Sequence, residues 1–437
     1  MIGLGFMLIE FRCTNFRSIR EEQVLSLVAK NTDRTLSSCI IEKKLPGLSG
    51  LSYLRGAAIY GANASGKSNV IEAISFMAEF ITSSITDLHP GDMTGVEPFK
   101  LDSESLTMPS RFEITFVAND VRYLFGFSAN RIRVLEEYLV AYPNGAPQKW
   151  YHRTYNDILN KYEWTKSSAF FKQDRSLQDK TRDNTLFLSV GTQFNHPQLT
   201  PVFKWFSWDL RFLNLNAEHD IPYSLTAFRI NDEKYKARLL NLIRSADFGV
   251  SSARIKKKEV TEDEIKNNHP RSTIESRQMI DFLKSDLQFD VTLSHKGEGI
   301  EPVEFDFDDE ESAGTRRFFA LIGFWVDTIE KGYTVFIDEI ETSLHPILIK
   351  ELLKLLLCSE NNPKGAQVIF TTHNPVLLDG NLFRRDQIWF TEKAPSGATC
   401  LYPLTDYQPR SSEALAKGYI AGRYGAIPFI PGGLKLE

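Results

Sequence analysis

Residues 54–81 read LRGAAIYGANASGKSNVIEAISFMAEFI, and the order of residue types in this stretch decides the fold. A short apolar run leads into Gly61-Ala62-Asn63-Ala64-Ser65-Gly66-Lys67-Ser68, which satisfies G-x-x-x-x-G-K-[ST] at every fixed position. Behind it Val70, Ile71, Ile74, Met77, Phe80 and Ile81 recur at helical spacing. Strand, glycine-rich loop and helix in this order predict a P-loop. The glycines let backbone N–H groups wind around a polyphosphate at a helix N-terminus, Lys67 reaches the terminal phosphates, and the Ser68 hydroxyl is placed for Mg2+. Gly61, Asn63, Ala64, Ser65, Gly66, Lys67, Ser68 and Asn69 are therefore the expected nucleotide-binding residues, with ATP and Mg2+ as the expected ligands.

A P-loop needs a metal-holding carboxylate and a base, and residues 334–341, TVFIDEIE, supply both. Val335, Phe336 and Ile337 predict a buried strand that ends in Asp338 and Glu339, where parallel sheets present ligand groups. Asp338 would hold Mg2+ through water, and Glu339 would orient or deprotonate the attacking water. The next apolar run, AQVIFTTH, ends at His373, one strand tip away from the γ-phosphate. Glu311-Ser312-Ala313-Gly314-Thr315 directly precedes a helical pattern, and taken alone it reads as an N-cap.

Outward from these motifs, residues 7–26 (MLIEFRCTNFRSIREEQVLS) predict two strands joined by a turn around Asn15. Residues 110–155 carry the alternation and turn signals of an antiparallel meander, and 156–185 read as a polar, mobile connection. From Glu310 an α/β rhythm resumes: a helix over 315–331, strand YTVFID, a helix over 346–357, and strands AQVIFTTH and DQIWFTE. This alternation implies a mostly parallel sheet covered by helices. The expected fold class is α/β: a P-loop ATPase head with a mostly parallel sheet, an antiparallel β subdomain and an inserted helical segment. Three units follow: 1–199 as an N-terminal lobe with the P-loop and meander, 200–295 as a mainly helical insertion, and 296–437 as a C-terminal lobe. Lys256-Lys257-Lys258, followed by acidic residues, reads as a solvated helical face, and Trp205, Trp208 and Phe212 as core.

Hydrophobic residues at 42% and charged residues at 24% are globular values, and no run approaches the ~18 apolar residues of a membrane span. The four cysteines, Cys13, Cys39, Cys358 and Cys400, stand too far apart for a zinc motif and give no disulfide framework, so a cytoplasmic protein without a membrane partner is expected. A net charge of −5 gives no global footprint for nucleic acid, although it leaves room for a local basic patch.

Asn15-Phe16-Arg17-Ser18, the P-loop, Ser312–Thr315, the Asp338-Glu339 pair and Thr372-His373 together resemble the ABC-type heads shared by RecF, the SMC proteins and the bacterial AAA15/AAA21 ATPases. ESAGTRRFF, DEIETSLHP, TTHNP and the tail KGYIAGRYGAIP most resemble the RloA/AbiL/AriA branch found in phage-defence loci, which includes the AriA ATPases of PARIS systems. The resemblance implies a signature motif at Ser312, Gly314 and Thr315 that grips the γ-phosphate bound by a second subunit, and a D-loop at Ser343-Leu344-His345-Pro346. It implies His373 as the switch histidine and Asn15 and Arg17 as further nucleotide contacts. A Q-loop glutamine holding Mg2+ is also implied, with Gln193 the candidate. The signature departs from transporter heads in reading S-A-G-T, and the long coiled coil of some relatives is missing. Implied partners are a homo-oligomer built on ATP-sandwich dimers, a separately encoded Toprim-like nuclease effector and a phage-derived trigger. The residues after His373 are too few for such a nuclease in cis. The alternative implied is a RecF/SMC-like DNA-repair or DNA-transaction ATPase, with DNA as the partner.

Overall fold

The computed structural model describes residues 5–48, 50–166, 170, 175–214, 223–258, 288–299, 301–342, 344–410 and 413–428. The chain begins with β1 (Phe6–Thr14) and β2 (Gln23–Ser26), followed by the short pair β3 (Ile40–Ile41) and β4 (Tyr53–Leu54). Next come β5 (Gly56–Gly61), helix α1 (Lys67–Asp87) and the meander β6 (Ser110–Ala118), β7 (Val121–Ala129), β8 (Val134–Tyr142), β9 (Gln148–Asn156) and β10 (Lys161–Lys166). Helices α2 (Arg175–Asp179), α3 (Phe187–Gln193) and α4 (Leu199–Lys204) lead through a π-helical turn, Trp205–Asp209, into β11 (Leu210–Asn214). Then α5 (Ser224–Ile230), α6 (Glu233–Ser245), β12 (Val250–Lys258), β13 (Gln288–His295) and β14 (Val303–Asp306) precede α7 (Ala313–Lys331). The last elements are β15 (Thr334–Asp338), α8 (Pro346–Leu357), β16 (Gln367–Thr372), β17 (Ile388–Lys393), β18 (Thr399–Pro403) and α9 (Leu415–Ile420).

Three sheets carry the architecture. The six-stranded sheet, β11-β15-β16-β5-β17-β18, is parallel except for its β17–β18 hairpin. The seven-stranded sheet, β10-β9-β8-β7-β6-β1-β2, is antiparallel throughout. The third, β12-β13-β14, is also antiparallel. The mixed α/β class with a mostly parallel core sheet is thus what the chain adopts.

The layering follows from strand geometry. Successive side chains leave β5 on opposite sides, so Ala57 and Ile59 join the core around α1 and the antiparallel sheet, while Ala58 and Tyr60 join the core around α7 and α8. All six β5 residues are buried, which is why the run has no polar partner face. Gln367 ties the two large sheets together: its amide accepts from Leu8 N–H (2.7 Å) and donates to the carbonyls of Leu8 (3.1 Å) and Leu54 (2.9 Å). On β8 the fully buried Glu137 accepts from the N–H groups of Phe187 (2.7 Å) and Leu188 (3.0 Å) and so caps α3. Burial pushes the Glu137 carboxyl up, against the opposing charge of Arg153.

Several expectations need correction. The range 200–295 is mixed rather than mainly helical among its described residues: besides most of α4 and the helices α5 and α6, it supplies β11 to the core sheet and β12 and β13 to the small sheet. Lys256 and Lys257 sit on strand β12 and not on a helical face. The 156–185 region contains β10 and α2. Trp205 and Phe212 are core, whereas Trp208 is 51% exposed. The acidic stretch beyond Lys258 lies outside the described residues. No helix among the described residues is long and apolar enough to cross a membrane.

Candidate nucleotide site

The loop between β5 and α1 is built to leave amides open. Ala64 (φ 61°) and Gly66 (φ 101°) are left-handed, which curls the chain between them. A side chain at Gly66 would come within 2.0 Å of Thr399 Oγ1, and one at Gly61 within 2.4 Å of Thr391 Oγ1, so both glycines are required by contact. The N-cap of α1 is Gly66, which has no side chain to cap it, so the first N–H groups of the helix are left open to a ligand among the described residues. The β17–β18 hairpin holds the loop from the other side: Ser65 Oγ and Thr391 Oγ1 are 2.6 Å apart, and Thr399 donates to the Ser65 carbonyl (3.0 Å). Ser18 bonds Thr399 (2.8 Å) and accepts from the Asn69 amide, which links the β1–β2 turn to the loop.

Lys67 lies in this cradle, only 5% exposed, donating to the carbonyls of Gly61 (2.8 Å) and Ala62 (3.0 Å). Burial lowers its pKa from the ordinary lysine value, and Glu339, Glu341 and Asp338 partly offset this. A buried ammonium satisfied only by carbonyl dipoles, beside open helix N–H groups, is a site for an anion. Ser68, one residue on, is partly exposed at the same helix end.

Asp338 and Glu339 close β15, two strands from β5, with β16 between them. Thr371 on β16 organises the pair: its hydroxyl donates to Asp338 Oδ1 (2.5 Å) and accepts from Glu339 N–H (2.8 Å). Glu339 adopts a left-handed backbone (φ 50°), an uncommon conformation for a non-glycine residue that turns the chain sharply off the strand. His373 follows β16 and is held by Glu341, whose Oε1 accepts from His373 N–H (2.8 Å) and lies 2.9 Å from His373 Nδ1. The His373 ring is 54% exposed, and Glu341 Oε2 is buried without a hydrogen-bond partner among the described residues. Among the described residues no group of three His, Cys, Asp or Glu side chains could hold a metal by itself. A Ser68 hydroxyl and one Asp338 carboxylate fit a Mg2+ that takes its remaining ligands from phosphate and water.

Ser312 caps α7, accepting from Thr315 N–H (3.1 Å), and Ser312 itself is exposed. Glu311 behind it is paired with His295 of β13 (2.6 Å). The motif therefore presents an outward helix N-terminus carried by the small sheet and α5–α7. Ser343 lies outside the described residues; His345 caps α8 through Ile347 N–H (3.3 Å).

Two expected contacts are not brought to the loop. Asn15, 4% exposed, spends its amide on the carbonyls of Ser105 (2.8 Å) and Met108 (2.9 Å) and accepts from Phe99 N–H (3.0 Å). It is a clip for the 99–109 segment. Gln193 is exposed at the end of α3, whose Ser189 donates to the carbonyl of Ile81, about four turns or roughly 20 Å along α1 from Lys67. Arg17 does lie near: it pairs with Glu72 on α1 and with Glu97 (3.7 Å), and it lines a cavity of about 280 Å3 with Ser18, Asn69 and Lys393. Thr371, Thr391, Thr399 and Glu341 were missed, because each acts through a neighbour in space that no spacing along the chain reveals.

No curated protein matches the chain. Among solved structures it is similar to the SMC head domain from Thermotoga maritima, at 14% identity and a TM-score of 0.40, with 91% of this chain and 98% of that one covered. The AAA_21 family, described as "AAA domain, putative AbiEii toxin, Type IV TA system", matches residues 57–379, and the chain belongs to that family.

Proposed function

We propose that the chain is a Mg2+-dependent ATPase of the ABC type, working as a dimer of heads and serving as the sensor of an anti-phage defence system that restrains a separate nuclease. The observation that carries the ATPase reading is the buried Lys67 in an uncapped P-loop, with Asp338 and Glu339 joined to the adjacent strand through Thr371. Mg2+, when bound, neutralises charge on the terminal phosphates. Lys67 exchanges its carbonyl partners for phosphate oxygens, Ser68 and Asp338 hold the metal, and Glu339 takes a proton from the attacking water. His373, fixed by Glu341, reads the presence of the γ-phosphate. The exposed N-terminus of α7 supports the dimer, since its N–H groups and dipole suit a phosphate carried by a second head. The defence role is supported by the toxin–antitoxin class in the family description and by the resemblance of the late motifs to the defence branch.

Gly314→Glu tests the dimer. It places a carboxylate where the partner's phosphate would sit, so ATP binding should persist while ATP-driven closure, read by inter-subunit cross-linking, is lost. Wild-type closure in this variant overturns the assignment of Ser312–Thr315. Co-purification with a nuclease supports the defence role, whereas DNA-stimulated hydrolysis by the chain alone points to a DNA-transaction ATPase.

A further inference from the structure

A cavity of about 610 Å3 opens at the other end of the parallel sheet from Asp338 and Glu339. Leu210, which starts β11, is in register with Thr334 at the start of β15, so the residues just before β11 lie beneath the strand bases. Its lining includes Lys204, Trp208 and Asp209 together with Phe6, Asn119 and Asn195. Trp208 and Asp209 belong to the π-helical turn, a wide geometry that recurs at functional sites. Within this turn Trp205 is fully buried, stacked on Phe116 at 4.1 Å between centroids, while Trp208 keeps half its indole exposed.

Asp209 is the informative group. The residue is 8% exposed, its carboxyl forms no hydrogen bond with a described residue, and burial raises its pKa to about 7 against the opposing charge of Arg211. A carboxyl largely withdrawn from water and facing a cavity without a protein donor gains from a ligand that supplies donors. Lys204, which lines the same cavity, has no ion pair among the described residues. The lining therefore offers a flat stacking surface, an acceptor pair and a separate cation. A simple amine would satisfy Asp209 and oppose Lys204. Adenine presents a donor beside an acceptor and mismatches a carboxylate. Guanine presents two neighbouring N–H donors on a planar ring that carries an anionic phosphate, and it matches all three features.

We propose that this cavity is a second nucleotide site that binds a guanine nucleotide, with the ring on Trp208, its N–H edge on Asp209 and its phosphate on Lys204. The base could come from a free nucleotide or from single-stranded nucleic acid. The site is independent of the P-loop, and it stands or falls separately from the ATPase reading.

Titration calorimetry with guanosine 5′-monophosphate on the Lys67→Ala chain tests it, because that background weakens phosphate binding at the P-loop. The monophosphate should bind at least tenfold more tightly than adenosine 5′-monophosphate. Trp208→Ala and Asp209→Asn should each weaken it at least tenfold; Trp208 is exposed, so that variant keeps the fold even if the other does not. No binding, equal affinity for the two monophosphates, or affinity unchanged in Trp208→Ala overturns the proposal. A short guanine-containing RNA binding tenfold more tightly than the monophosphate confirms the site and assigns its source to nucleic acid. Equal affinity confirms it and assigns a free nucleotide.

Discussion

Replacing Thr371 by valine removes one hydroxyl from a fully buried position without changing its shape. That hydroxyl donates to a carboxylate at 2.5 Å and accepts from the Glu339 amide at 2.8 Å. A hydrogen bond to a charged group contributes about 1.5–3 kcal/mol, and an orphaned amide costs about 1–3 kcal/mol. Asp338 and Glu339 are only half-buried, so water can replace part of each loss and the low ends apply. The nucleotide-free chain should lose about 2–3 kcal/mol in urea unfolding. Asp338 also loses the contact that fixes its orientation, and such supporting bonds typically contribute about 10–100-fold in metal affinity. The Mg2+ concentration for half-maximal hydrolysis should rise by that factor while maximal rate at saturating metal recovers in part. Thr371→Ser keeps the hydroxyl and is the reference. If valine and serine variants unfold together and share one Mg2+ dependence, Thr371 does not organise the carboxylate pair and the reasoning fails.

Lys67→Ala should reduce ATP affinity by at least about tenfold, since the buried point charge opposite the phosphates is lost; equilibrium dialysis measures it. Glu339→Gln should bind ATP normally yet slow turnover by roughly 100-fold or more, because the amide keeps shape but accepts no proton; single-turnover hydrolysis at the wild-type rate would place the base elsewhere. Asp209 has a folded pKa raised to about 7, so its neutral form contributes stability that is complete below about pH 4 and is lost as pH rises through 7. Asp209→Asn should gain on the wild type between pH 5 and pH 8 by roughly 3 kcal/mol, about two pH units at 1.4 kcal/mol each, read as the difference in urea midpoints.

What the sequence disclosed is what depends on local order. The P-loop, the buried strand ahead of Asp338, the helix over 346–357 and the cap at Ser312 are all short-range patterns, and the structure places them as the spacing implies. The parallel sheet was legible because strands and helices alternate after Glu310. β11 was not, since LRFLN follows an aromatic π-helical turn and gains its partner, β15, only after more than a hundred intervening residues fold. Asn15 misled for the same reason. The resemblance to ABC-type heads implied a nucleotide contact at Asn15, but its amide is claimed by the 99–109 segment. Gln193 failed on geometry, because Glu137 fixes the start of α3 against the antiparallel sheet, away from Lys67.

Gln367 has a mechanical meaning. It stitches β1 to the bases of β16 and β4, at the end of the parallel sheet opposite the catalytic tips. The ribs of this fan are pinned at the handle by Gln367; at the rim the β1–β2 turn is tied to the P-loop side through Ser18, while Thr371 joins the tips of β15 and β16 to one another. A tug on the antiparallel sheet arrives as rotation about the pin, and the strands lengthen it: across a span of about 17 Å, two degrees moves a tip by about 0.6 Å. Opening or closing at Asp338 and His373 thus requires no rupture at the handle, and the leverage runs equally well in reverse, from the rim to the outer sheet.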